Sequence, residues 1–163
     1  VRYSGFSDWE LPNMSEHHNG NPARTIDPAR AAQEAAELFH SGWNCAESVF
    51  QAIHRQVCGG SGPVHLVTAL GGGMASKKTC GALSGGIVAL GLVYGRSEPD
   101  EQAKKAAYAQ AKRLHADFRD QFHSVDCWQL TCHYHDHKQQ KEGCTRLVRA
   151  AAQKACELIA KAR

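Results

Sequence analysis

Four of the seven cysteines in this chain stand where a sulfur could do chemistry. Cys45, Cys80 and Cys144 each lie at or beside a predicted helix start, and Cys127 does so on a short turn that Ser124 is placed to cap. A sulfur there faces backbone N–H groups that have no intrahelical partner, and the positive end of the helix dipole. That setting favours thiolate over thiol. Cys156 instead sits beside Leu158 and Ile159 as a core residue would. Cys58 precedes glycines at a helix end, where the dipole disfavours negative charge. Position thus separates Cys45, Cys80, Cys127 and Cys144 from Cys58, Cys132 and Cys156. Four thiolates converging from separate elements suit an iron–sulfur cluster, commonly a Cys₄ site. They equally suit thiol–disulfide cycling without metal. Because seven is odd, at least one thiol is free, metal-bound or intermolecular. No CxxC occurs, so a zinc ribbon or a thioredoxin motif is not supported.

The densest stretch around any of these sulfurs runs from Gly71 to Gly86. Three glycines allow close backbone approach or positive φ. Lys77 and Lys78 then lead into Cys80, and an apolar run follows from Ile87 to Tyr94. Gly81, Ala82 and Lys78 are the residues expected to cradle a cofactor beside the sulfur. The glycine run is not a P-loop, since it lacks the GK[ST] ending.

A second constellation competes for one of the sulfurs. Cys127 and Cys132, followed by His133, have a rare haem-attachment spacing: two thioethers and an axial histidine. His133, His135 and His137 alternate, so an extended strand would present all three on one side for copper or zinc; a flexible polar loop is the plainer reading. His17 and His18 form another pair, on an irregular segment. No Ser/His/Asp grouping or paired carboxylate stands out, so electron transfer or redox sensing is expected rather than enzymatic turnover.

The elements that must position these residues read as helices. Asp27-Pro28 is an N-cap followed by proline at the first helical position, opening a helix to about His40 with Ala32, Ala35, Ala36 and Phe39 on one face. Asn44 with Glu47 is a capping-box pattern that sets Cys45 in the first turn of a second helix. Thr79 is the expected N-cap of a third, running to Tyr94. Its small residues weaken it intrinsically, so close packing against another helix or a cofactor must compensate. Ile87, Val88, Leu90, Leu92 and Val93 cover most of its circumference, which marks it as the buried central helix. A long amphipathic surface helix follows, to about His123, and Cys144 opens the last one after a polar loop, Thr131 to Gly143. No strand pattern is evident. The fold class is therefore all-α, a bundle of about five main helices over residues 27–163, preceded by an irregular arm, 1–26, in which Phe6 and Trp9 are anchors.

The chain has 163 residues, enough for one domain with a core. Its formal net charge of +3 is too mild to argue for nucleic acid, and no apolar run is long enough to span a bilayer. The first residue, Val1, fits either a removed leader, with export, or a cytoplasmic chain cut at that point.

Cys80-Gly81-Ala82-Leu83-Ser84-Gly85 resembles the CGAxxG motif of C_GCAxxG_C_C, a prokaryotic family regarded as redox-active, with four characteristic cysteines. Trp43 to Val49 is similar to the segment around that family's first cysteine, Cys127 to Thr131 to the third, and Cys144 with Leu147-Val148 to the fourth. The resemblance covers about residues 30–160. A related module occurs in split-Soret cytochromes, which the resemblance associates with a dimer, c-type haems and an iron–sulfur centre. It thereby implies a cluster on Cys45, Cys80, Cys127 and Cys144, a homodimer, and an electron donor or acceptor protein as partner. CxxCH, the usual haem attachment, is missing from this chain.

Overall fold

The computed structural model describes residues 24–161. Phe6, Trp9, His17, His18 and almost all of the expected arm lie outside the described residues. Six α-helices follow in order: α1 (Pro28–His40), α2 (Cys45–Val57), α3 (Gly81–Tyr94), α4 (Glu101–Phe122), α5 (Cys127–Thr131) and α6 (His137–Ala160). Between α2 and α3 run a 3-10 segment, Val64–Leu70, and a tight π-type turn, Gly73–Lys77. No strand occurs among the described residues, only an isolated antiparallel bridge between Thr79 and Asp126. The all-α expectation holds, and no described helix is long and apolar enough to cross a membrane.

Local signals account for several helix starts. Asp27 accepts from the Arg30 amide with Pro28 in the first turn of α1. At α2 the capping box is complete. Asn44 Oδ1 accepts from the amides of Ala46 and Glu47, at 2.9 and 3.1 Å, while Glu47 Oε2 accepts from the Asn44 amide at 2.8 Å. Such reciprocal bonds satisfy donors that the first turn otherwise leaves unpaired.

Four starts differ from the sequence expectation. Cys80, not Thr79, is the N-cap of α3, because Thr79 is held in the bridge to Asp126. Asp126, not Ser124, caps α5, accepting from the Gln129 amide, and Ser124 Oγ accepts from the Asp126 amide one step earlier. α4 begins at Glu101 under an Asp100 cap, a few residues beyond Ser97. The last helix begins at His137, two turns before Cys144. Asp136 caps it by accepting from the Gln139 amide at 2.8 Å, which absorbs half of the expected polar loop. The histidines accordingly show no extended strand: His133 and His135 are exposed turn residues, and His137 opens α6.

α3 is the central helix, packed against α2, α4 and α6. Leu83, Leu90, Val93 and Tyr94 are fully or almost fully buried, and Tyr94 Oη donates to the Leu158 carbonyl of α6 at 2.8 Å. Its burial is not all-round, since Val88 and Gly91 face outward. α4 is the amphipathic surface helix, burying Ala106, Gln110, Leu114 and Phe118. α1 lays its alanine face, Ala31, Ala32, Ala35 and Ala36, against α6 and α2. Alanine faces let helix axes come close, and the same economy of side-chain bulk recurs around the cysteines.

Candidate functional site

Cys45, Cys80, Cys127 and Cys144 all line one cavity of about 170 Å³, together with Phe39, Asn44, Gly72, Lys77, Ala82, Thr131, Gln140 and Leu147. Each cysteine arrives on a different element. Cys45 is the first residue of α2, whose start is clamped from outside: Asn44 Nδ2 donates to the Thr68 carbonyl at 3.0 Å, and Thr68 Oγ1 donates to Glu47 Oε1 at 2.6 Å. Cys80 caps α3. Cys127 is joined to it by the bridge, in which the Cys80 amide donates to the Val125 carbonyl at 2.8 Å and the Cys127 amide to the Lys78 carbonyl at 2.6 Å. Cys144 comes from the second turn of α6. Near it, Thr145 Oγ1 stands 3.1 Å from His40 Nε2 at the end of α1.

The CGAxxG segment has a steric reading here. A Cβ on Gly81 would stand 2.5 Å from Cys45 Sγ and 2.8 Å from the Leu70 carbonyl oxygen. A Cβ on Gly85 would drive into the Ala46 carbonyl, with Ala46 Cα 2.9 Å away. The two glycines let α3 slide against the first turn of α2, and the sulfur of Cys45 occupies the room that Gly81 leaves. Ala82, fully buried, lines the same cavity. The expected compensation for a weak helix is therefore helix-on-helix packing, α3 on α2.

On the other side the cavity is closed by Gly72–Lys77. Gly72 and Gly73 have φ of 61° and 70°, and Met74, Ala75 and Lys77 follow them into the left-handed region at 57°, 52° and 58°. That region costs a non-glycine residue roughly 1–2 kcal/mol. A Cβ on Gly73 would lie 2.7 Å from Cys127 Cβ, so this turn also presses directly on a cysteine. Of the two lysines, Lys77 lines the cavity. Both are exposed; Lys78, the one expected from the sequence, serves through its backbone: its carbonyl accepts from the Cys127 amide and its amide donates to the Gly73 carbonyl at 3.0 Å.

Electrostatics reverses one expectation. Burial pushes the Cys80 thiol up to about 12, Cys45 nearby adds to the rise, and the Ala82 and Leu83 amides only partly oppose it. Cys144 is pushed up to about 11, first by burial and then by Cys45 and Cys127, against a lowering by Lys77. Cys127 is also raised by burial, with Lys77 again the leading opposing influence. The helix-start argument for ready thiolates therefore fails at Cys80 and Cys127, and it does not reach Cys144, which lies two turns inside α6. Loss of hydration outweighs the field of a helix end when the group is enclosed. Cys80, Cys127 and Cys144 thus favour the thiol, and the cavity sulfurs influence one another because they are neighbours.

Other candidates lie elsewhere. Cys132 and His133 are exposed and do not line the cavity, whereas Cys127 does. Cys58 is half-buried and Cys156 is fully buried in the core, as its apolar neighbours suggest. No disulfide joins any of the seven cysteines, all of which lie among the described residues. Among the described residues no group of three or more His, Cys, Asp or Glu is arranged to hold a single metal ion, so neither the histidines of 133–137 nor the four cysteines form a ready-made mononuclear site. Sequence reasoning missed Phe39, Asn44, Thr131, Gln140 and Leu147 as lining residues, since nothing local marks them.

Fold and site define a helical protein built around a buried, multi-thiol cavity in which each of four sulfurs is supplied by a separate element. The chain belongs to the C_GCAxxG_C_C family, described as "Putative redox-active protein", whose sequence model matches residues 43–158 and so spans all four cysteines. No curated protein matches the chain, and no solved structure does.

Proposed function

We propose that this chain is an electron-transfer or redox-sensing protein whose centre is an iron–sulfur cluster on Cys45, Cys80, Cys127 and Cys144. The observation that carries the reading is that these four sulfurs, far apart along the chain, line one small, largely apolar cavity. The donor set fits the group: four soft thiol sulfurs with no competing carboxylate or imidazole in the lining. When bound, such a cluster supplies reversible one-electron chemistry.

The chain's own residues would do the rest. Gly81 and Gly85 hold Cys45 against α3. The 78–80 and 125–127 bridge fixes Cys80 and Cys127 together. Phe39, Ala82 and Leu147 keep water from the sulfurs. The raised thiol pKa values favour this reading over thiol–disulfide cycling, because an attacking sulfur must be a thiolate and works best with a pKa near the ambient pH. Metal coordination removes the proton itself, and so accommodates sulfurs that otherwise hold it tightly. The test is anaerobic purification followed by iron, acid-labile sulfide and visible-absorption analysis. Broad visible absorption with iron and sulfide in comparable amounts supports the cluster. Colourless protein that stays free of both after reconstitution under reducing conditions refutes it.

A further inference from the structure

We infer that Lys77 is the counter-charge of the four-cysteine cavity: its ammonium stabilises negative charge on the sulfurs and makes the centre they hold easier to reduce. The second half rests on the cluster reading above; the first does not. Among the described residues, Lys77 is the only lysine or arginine in the lining, and no acidic side chain lines the cavity beside it. It forms no ion pair with a described carboxylate, in contrast to Lys104 and Lys154, which pair with Glu101 and Glu157. Its backbone is left-handed at φ 58°, at the end of a turn in which Met74 and Ala75 are left-handed too. The turn closes through the bond from the Lys78 amide to the Gly73 carbonyl, and the next carbonyl, that of Lys78, receives the Cys127 amide. The backbone that carries Lys77 is therefore tied to the backbone that carries Cys127. A strained segment persists only where its surroundings hold it, and such segments gather at functional sites. Lys78, one residue on and equally charged, does not line the cavity.

Lys77 is solvent-exposed, so solvent and salt screen part of its charge, while the largely apolar lining it shares with the sulfurs screens little. The charge lowers the cost of each added negative charge, whether that arrives by losing a thiol proton or by gaining an electron. The lowering influence of Lys77 on Cys127 and Cys144 has the same sign.

The test compares Lys77→Gln, Lys77→Asn, Lys77→Arg and Lys78→Gln. Asparagine tolerates the left-handed backbone, so Lys77→Asn removes the charge without disturbing the turn. The first readout is metal-free: the rate at which a neutral alkylating reagent modifies Cys127 and Cys144 at fixed pH in the reduced protein, followed by peptide mass spectrometry. It should fall about threefold or more in the Gln and Asn variants, and stay at the wild-type level in Lys77→Arg and Lys78→Gln. The second readout is the midpoint potential of the anaerobically reconstituted protein. It should fall in the same two variants by about 30 mV, which is a threefold change in the one-electron equilibrium at 59 mV per tenfold. Wild-type alkylation rates in both neutral variants overturn the assignment. So does an equal loss in Lys77→Arg, which would mean packing rather than charge. Should wild-type protein take up no iron, the cluster reading fails, while the alkylation series still decides the role of Lys77.

Discussion

Replacing Gly81 with alanine sets two opposed effects against each other on one helix. Alanine is favoured over glycine by at most about 1 kcal/mol here, the value for a helix interior, since Gly81 is the first residue of α3. Against that, the new Cβ would stand 2.5 Å from Cys45 Sγ and 2.8 Å from the Leu70 carbonyl oxygen. Comfortable non-bonded separation is about 3.5–4.0 Å, so the sulfur must retreat by roughly 1 Å or the helices must part. Overpacking of this kind costs about 1–3 kcal/mol. The net result is a loss of about 0–3 kcal/mol, with each 1 kcal/mol lowering the melting temperature by about 2–4 °C for a domain of this size. Gly91 supplies the internal control. It lies on the same helix, exposed, and a Cβ there would meet nothing within 4 Å. Gly91→Ala should gain about 1 kcal/mol and raise the melting temperature by about 2–4 °C. The functional consequence of Gly81→Ala exceeds the thermal one. Metal–ligand distances tolerate about 0.2 Å, so a 1 Å displacement of Cys45 should cut iron and sulfide incorporation severely while the protein remains folded. The assay pairs thermal denaturation of both variants with iron and sulfide analysis after anaerobic reconstitution. Wild-type loading by Gly81→Ala would refute the steric account of the motif.

Gly85→Ala should be worse for the fold than Gly81→Ala, by about 2 kcal/mol or more, because its Cβ meets the backbone of Ala46 rather than a side chain that can turn aside; chemical denaturation measures it, and a neutral result counts against the close α2–α3 approach. Loading the reduced protein with cadmium at neutral pH should release at least three protons, from Cys80, Cys127 and Cys144, all of which hold theirs well above pH 7; calorimetry in buffers of different ionisation enthalpy reads this, and uptake without release refutes coordination by these sulfurs. Cys156 makes the fold alkali-sensitive: burial raises its thiol from 9.0 to about 12. The folded state therefore keeps a proton that the unfolded chain loses, so this contribution is intact below pH 9 and is lost as pH rises from 9 to 12, by up to about 4 kcal/mol. Cys156→Ala should flatten stability against pH in that window, and an unchanged slope would show that the group ionises without penalty.

The residue string determined the elements and the cast. Asp27-Pro28 and Asn44 with Glu47 specify their helix starts because capping is a bond between residues two or three apart. The small residues of the CGAxxG segment announced a close approach, and the four cysteines were separable from the rest by context. Tertiary structure decided what those cysteines are. Cys144 joins the cavity from inside a helix, and Cys127 is set beside Cys80 by a bridge between distant segments, in which Cys80 bonds to Val125. No local pattern encodes either fact. The choice of Lys77 over Lys78 for the lining is made by a left-handed turn that no local pattern announces. The protonation of the sulfurs depends on enclosure by α1, α3 and α6 together. A helix end contributes a fixed field over one turn, but desolvation grows with everything packed around the group, and only the assembled fold sets that sum.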